Sequence, residues 1–180
     1  MNTCTLVDGE GAGENEHSAL MYATYGAAVY FASTLEYGLI NVLATAEVIE
    51  AKLAGRVIPD DPWERRCQSK QTMGVFLGEV KKTHLPSASS LANELDQALK
   101  RRNYLTHHFW RERIDDSYST TGRNKLIGEL EADRKLFENT DQQLHMMVME
   151  PLMCKVGVTK EMRDAMLRRA EHEAENRYED

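Results

Sequence analysis

The chain has 180 residues, 42% of them hydrophobic and 28% charged, with a formal net charge of −7. That composition suits one soluble domain with a core of its own, and its acidity argues against unspecific nucleic-acid binding. Cys4, Cys67 and Cys154 are odd in number and far apart, which excludes a disulfide framework or a cysteine zinc site and points to a reducing cytoplasm.

Charge is distributed unevenly. The first 51 residues carry seven acidic side chains and no basic one. Residues 1–17, with Gly9, Gly11 and Gly13 among scattered acids, read as a flexible N-terminal tail. From Ala19 to Val48 only Glu36 and Glu47 are charged. The positive flank of a signal peptide or first membrane span is missing before Lys52, so no membrane association is expected. A long helix over about 18–54, buried nearly all round, is the favoured reading. Leu35, Leu39, Val42, Ala46, Ile49 and Leu53 recur along it in steps of three and four.

"GRVIPDDP" ends that helix. Asp61, Pro62 and Glu64 make a capping box with proline at the first helical position, predicting a second helix from there to about His84. After "LPSASS" a third helix starts at Ser89 or Ser90 and fades near "DDSYSTTG". A fourth is expected from just after Gly122 to about Glu150, where Pro151 must end or kink it. Thr159 is an N-cap for a last, solvated helix. With strand signals nearly absent, the expectation is an all-α, up-and-down bundle of four to five helices. Residues 18–180 would form one domain, including an extra C-terminal helix over about 159–178.

The segment "LKRRNYLTHHFWRER", Leu99 to Arg113, holds five of the basic residues and two of the six histidines. The apolar seam of the third helix runs Leu91, Leu95, Ala98, position 102, Leu105, Phe109, in steps of four and three. Position 102 is arginine, whose charge cannot be shed and so needs a partner or a cavity if it leaves water. Asn103 and His107 are four apart and share a helix face, within reach of the Arg102 side chain. A snorkelling Arg102 with its head in water fits the same spacing. His108 points elsewhere on the helix wheel, to the surface or to packing. Arg101, Arg111 and Arg113 read as a solvated or RNA-facing rim. Glu36, the lone charge in the middle of the first helix, is a candidate partner for Arg102 across the core or a dimer interface.

"Arg102-Asn103-Tyr104-Leu105-Thr106-His107" resembles the Arg, polar residue, three more, His signature of the HEPN superfamily of all-α ribonuclease domains, carried there on the third long helix of a similar bundle. The resemblance covers this motif and the helix order over about 18–143. It implies a HEPN-like fold and a cytoplasmic homodimer. Two copies of the motif would face one cleft and cut RNA without metal or other cofactor, as a toxin or defence effector would. Arg102 would then stabilise the transition state, His107 would do acid and base work, and Asn103 would position the phosphate, with Glu36 in support. The chemistry suits the residues, since imidazole exchanges protons near working pH and guanidinium matches a crowded phosphate. An antitoxin or nucleotidyltransferase partner goes with that reading. Phe109 stands where some toxin members carry a modifiable tyrosine. The same resemblance also covers a catalytically inactive helical module that binds a partner protein, nucleotide or RNA.

"LHMMVMEPLMCK" reads as adaptable methionine core in preference to a soft-metal site. The only Glu-x-x-His, at Glu14 and His17, falls in the expected tail, leaving a di-iron bundle without ligands. No Gly-rich phosphate loop or helix-borne His-Glu-x-x-His occurs.

Overall fold

The computed structural model describes residues 10–58, 60–85 and 90–177, with side chains from residue 15. Cys4, most of the "LPSASS" connection and the last three residues lie outside them, as does the tail before Glu10. The described residues are all-α: α1 (Glu10–Leu53), α2 (Pro62–Cys67), α3 (Met73–Thr83), α4 (Ser90–His107), α5 (Phe109–Arg113), α6 (Thr120–Leu144), α7 (Glu150–Cys154) and α8 (Lys160–Asn176).

α1 begins at Glu10, eight residues before the expected start, so much of the predicted tail is helix. His17 explains part of this, because its ring meets Asn124 at 2.9 Å and Arg123 at 3.4 Å on α6. At 44 residues α1 is the spine of the molecule, about 66 Å long at the α-helical rise. It is long and apolar enough to cross a membrane, and 44% of its most apolar window is buried against other helices. Its expected stripe is buried from Leu35 to Ile49, whereas Leu53 is exposed at the helix end. There Gly55, at φ +62°, closes the helix. The Arg56 and Gly55 amides donate to Ala51 and Lys52 carbonyls, the paired bonds that satisfy a helix C-terminus when the next residue can turn left-handed.

The expected second helix is two helices. Asp61 caps α2 by accepting from the Glu64 amide at 2.9 Å, while the Glu64 carboxylate bonds to Gln68 and not back to the cap. The polar run Gln68–Thr72 then interrupts the helix before α3. This segment leads the chain back along α1. Trp63 bonds Asn41 and stacks on Tyr37, and Cys67, Ser69 and Gln71 lie beside Ser33 and Glu36. α2 is thus a short return leg.

Contacts fix the directions of the longer helices. α1 and α6 are parallel, since His17 meets Asn124 and Gly38 meets Asp141. α4 is antiparallel to α6, with Arg101 on Asp133 and Glu94 on Gln143. It is also antiparallel to α3, with Leu99 near Gly74 and Asp96 on Lys81. The core between them holds Leu35, Leu39, Phe76, Val80, Leu91, Leu95, Leu105, Phe109, Leu126, Leu130, Phe137 and Leu144.

α6 starts before Gly122, capped by the Ser119 hydroxyl, which accepts from the Gly122 amide at 3.0 Å. Glycine is required there, for a Cβ would sit 2.0 Å from the Asp116 carbonyl oxygen. Gly122→Ala must therefore displace backbone; an overpacking loss of about 1–3 kcal/mol is the expected result of denaturant melts.

Pro151 bends the end of α6 without ending it. The helix relaxes into a π-helical turn, His145–Met149, in which the Glu150 amide reaches back to the His145 carbonyl, and continues as α7. Proline cannot supply the next α-helical donor, and the wider turn absorbs the mismatch. Of the methionines expected as core here, Met149 is buried, but Met146 and Met147 are 57% and 50% exposed. α8 starts where expected, Thr159 accepting from the Met162 amide at 3.3 Å. None of its residues is buried.

Candidate functional site

α4 presents Leu91, Ala92, Leu95, Ala98 and Leu105 to the core, so the predicted seam is real and opens at position 102. Arg102 is half-buried there. Its Nη2 meets Glu36 Oε2 at 3.1 Å, within one protomer, and its Nη1 donates to Asn103 Oδ1 at 3.1 Å. The side chains of Arg102 and Glu36 keep 27% and 23% of their surface, enough to reach solvent without losing the pair. Their contact leaves one face of the guanidinium edge oriented by α1.

His107 is the last residue of α4 and is exposed. Among the described residues no hydrogen bond links it to Arg102, Glu36 or Asn103. Five residues of helix separate Arg102 from His107 by about 7.5 Å along the axis. The helix breaks at His108, where α5 begins. An aromatic cluster accounts for the break: Phe109 is fully buried and packs on Tyr25 and Trp110, which in turn contacts Tyr22, with ring centroids 5.1–5.5 Å apart. Tyr25 also donates to the Leu105 carbonyl at 3.1 Å, a group the broken helix leaves without its usual donor. Residues of α1 thereby fix the end of α4 that carries His107.

His108 is a surface residue, as the sequence suggested. Its Nδ1 lies 2.8 Å from an Arg111 guanidinium nitrogen and 3.6 Å from a Glu112 carboxylate oxygen. Arg111 keeps 70% of its side-chain surface and fits a solvated rim.

Arg101 and Arg113 do not fit the expected solvated rim. Arg101 donates Nε and Nη2 to Asp133 at 2.7 and 2.6 Å, adds Glu129 at 3.1 Å, and lies 4.8 Å from the Tyr104 ring centre. Arg113 donates to Asp116 at 2.7 Å and also to Glu129. Both guanidiniums are held more firmly protonated than usual, Arg101 chiefly by its hydrogen bond to Asp133 and Arg113 by that to Asp116. Their charge is already matched inside the protein, because α6 presents two carboxylates to this side of α4. Asp133 is the missed signal. It lies on the stripe Leu126, Leu130, 133, Phe137, Thr140, Leu144 and is 5% exposed, a carboxylate in a core position that demands a cation.

A second feature was not anticipated. Between α1 and the end of α6 lies a cleft of about 440 Å³ that includes Gly38, Asn41, Asp141, His145 and Met149. The Asp141 carboxylate packs directly over Gly38, where a Cβ would stand 2.3 Å from Oδ1. Burial pushes the Asp141 carboxyl above its usual range, while His145 pulls it the other way. The ionised form is thus disfavoured in the fold. This penalty is absent below the ordinary aspartate value, about 4, and grows as pH rises through the raised value. Wild type should accordingly lose stability relative to Asp141→Asn between acid and neutral pH, as paired thermal melts across that range would show.

Comparison of the chain with known protein families, curated proteins and solved structures gave no match.

Proposed function

We propose that the protein is a metal-independent endoribonuclease of HEPN type, working as a homodimer in which Arg102 and His107 of two protomers line one RNA-cleaving cleft. The observation that carries this reading is Arg102, an arginine set into an apolar seam, oriented by Glu36, touching Asn103 and five residues before an exposed histidine on the same helix. Two histidines, one from each copy, supply the base that takes the 2′-hydroxyl proton and the acid that protonates the leaving oxygen. Arg102 faces the phosphate as charge builds on it, and Asn103 positions it. Arg111 extends the basic rim toward RNA, a role that the internally paired Arg101 and Arg113 share less directly. A cytoplasmic toxin or defence effector, with an antitoxin or nucleotidyltransferase partner, is the biological setting this activity suits.

A second reading uses the same residues without cleavage. The Arg102 charge is already paired with Glu36, which favours a HEPN-like module that binds a partner protein, nucleotide or RNA. Incubating a mixed RNA pool with the purified protein, with and without chelator, separates the two. Chelator-resistant cleavage supports the nuclease. An intact pool that nevertheless binds, and binds less well to Arg102→Ala, supports the module.

A further inference from the structure

Asp141 is a half-buried carboxylate whose charge is answered in part by His145, on the wall of the same cleft. Among the described residues it makes no hydrogen bond and no ion pair. By contrast, Asp133, Glu129, Glu36, Glu79 and Asp96 each meet a cation at 3.2 Å or less. Its position is built. Gly38 removes the Cβ that would collide with it, and the packing of α6 on α1 holds it at the wall of the cleft. The amide of Asn41 lines the same space, its Oδ1 fixed by the Trp63 indole at 2.6 Å.

The cleft does not stop there. Asn41, His145 and Met149 also line a second hollow of about 560 Å³, whose walls include Val48, Trp63, Met153 and Met166. The two hollows adjoin at these three residues, and we read them as one groove, polar at the Asp141 end and apolar at the other. Each part lies in the range of small-molecule sites, and both are lined by the π-helical turn, a distortion frequent at functional sites. Charges in the apolar part are answered internally, Arg163 reaching Glu150 at 3.4 Å. Asp141 remains.

We infer that this groove binds an organic ammonium carried on an apolar body, with the head at Asp141 and the body along Met149 and Trp63. A carboxylate taken partly out of water gains most from a cation that brings its own hydrogen-bond donors. An inorganic divalent ion is a poorer fit, for the site offers one carboxylate where a hard cation wants six or more oxygens. An ammonium needs only three acceptors, and Asp141 with the Asn41 and Gln142 amide oxygens can provide them. The indole face of Trp63, with Tyr37 stacked on it at 6.2 Å, suits an apolar or aromatic body.

Isothermal titration of the full chain with n-octylammonium, octanol and octanoate tests the assignment. Octylammonium should bind at least tenfold more tightly than either, and Asp141→Asn, which preserves volume and shape, should erase that advantage while leaving octanol binding within twofold. Equal binding of the three by wild type, a preference for octanoate, no binding at millimolar concentration, or an unaffected preference in a folded Asp141→Asn protein would each overturn it. Should Asp141→Asn not fold, the ranking of the three ligands on wild type decides alone.

Discussion

Asp133→Ala is expected to remove about 3 kcal/mol of stability, a fall in Tm of roughly 6–12 °C for a chain of this size. The reason is the asymmetry of buried ion pairs. Asp133 holds Arg101 through two parallel hydrogen bonds, and its side chain is 7% exposed against 29% for Arg101. Taking away the carboxylate leaves a guanidinium pinned between Tyr104 and α6 with only Glu129 beside it. Replacing both partners by apolar residues, Arg101→Met with Asp133→Leu, removes the stranded charge and should recover most of the loss. A double-mutant cycle followed by thermal melts checks this: a strong positive coupling is the expected result, and simple additivity would show that the pair contributes little.

The catalytic prediction is larger. If His107 transfers protons to or from RNA, His107→Ala lowers kcat by about 10²–10⁴-fold. Arg102→Ala, which removes a donor to the developing charge on phosphate, lowers it by about 10²–10³-fold. Neither change touches a fully buried side chain, so both proteins should fold. Glu36→Gln keeps an acceptor at 3.1 Å from Arg102 but drops the charge that orients it, and its loss should be smaller than that of Arg102→Ala. The two histidines of a dimer acting as base and acid should give a bell-shaped pH profile of kcat/KM. Single-turnover cleavage of a defined RNA by the three variants measures all of these together.

Some of this was legible in the sequence for physical reasons that can be named. Asp61 and Thr159 cap helices because a short polar side chain before a periodic apolar run has few better uses. The α4 seam showed because Leu91, Leu95, Ala98, Leu105 and Phe109 keep step with the helical period. The same seam singled out Arg102 and, with Glu36, named the partner it meets.

What stayed hidden depends on contacts between distant residues. Wheel geometry placed Arg101 on a rim, yet Asp133 and Glu129, about 30 residues later, draw it inward. The carboxylate at 133 on an apolar stripe was the readable clue, and pairing it required knowing that α4 and α6 run antiparallel. The helix break at His108 is set by Phe109 entering the Tyr25 and Trp110 cluster, which no local propensity shows. The Asp141 groove is hidden for a similar reason. A glycine in one helix and an aspartate a hundred residues later acquire meaning only when α1 and α6 pack in parallel. At Pro151 the sequence showed that the α-helix must yield and left open how it would.

Metal-free RNA cleavage by Arg102 and His107 is the proposal that separates the nuclease from the binding module. Its most direct test is cleavage of a defined RNA in excess chelator by wild-type and His107→Ala proteins of equal thermal stability. Full activity for wild type and a loss of at least about a hundredfold for the variant are the expected results. Cleavage abolished by chelator, or retained undiminished by His107→Ala, would contradict it.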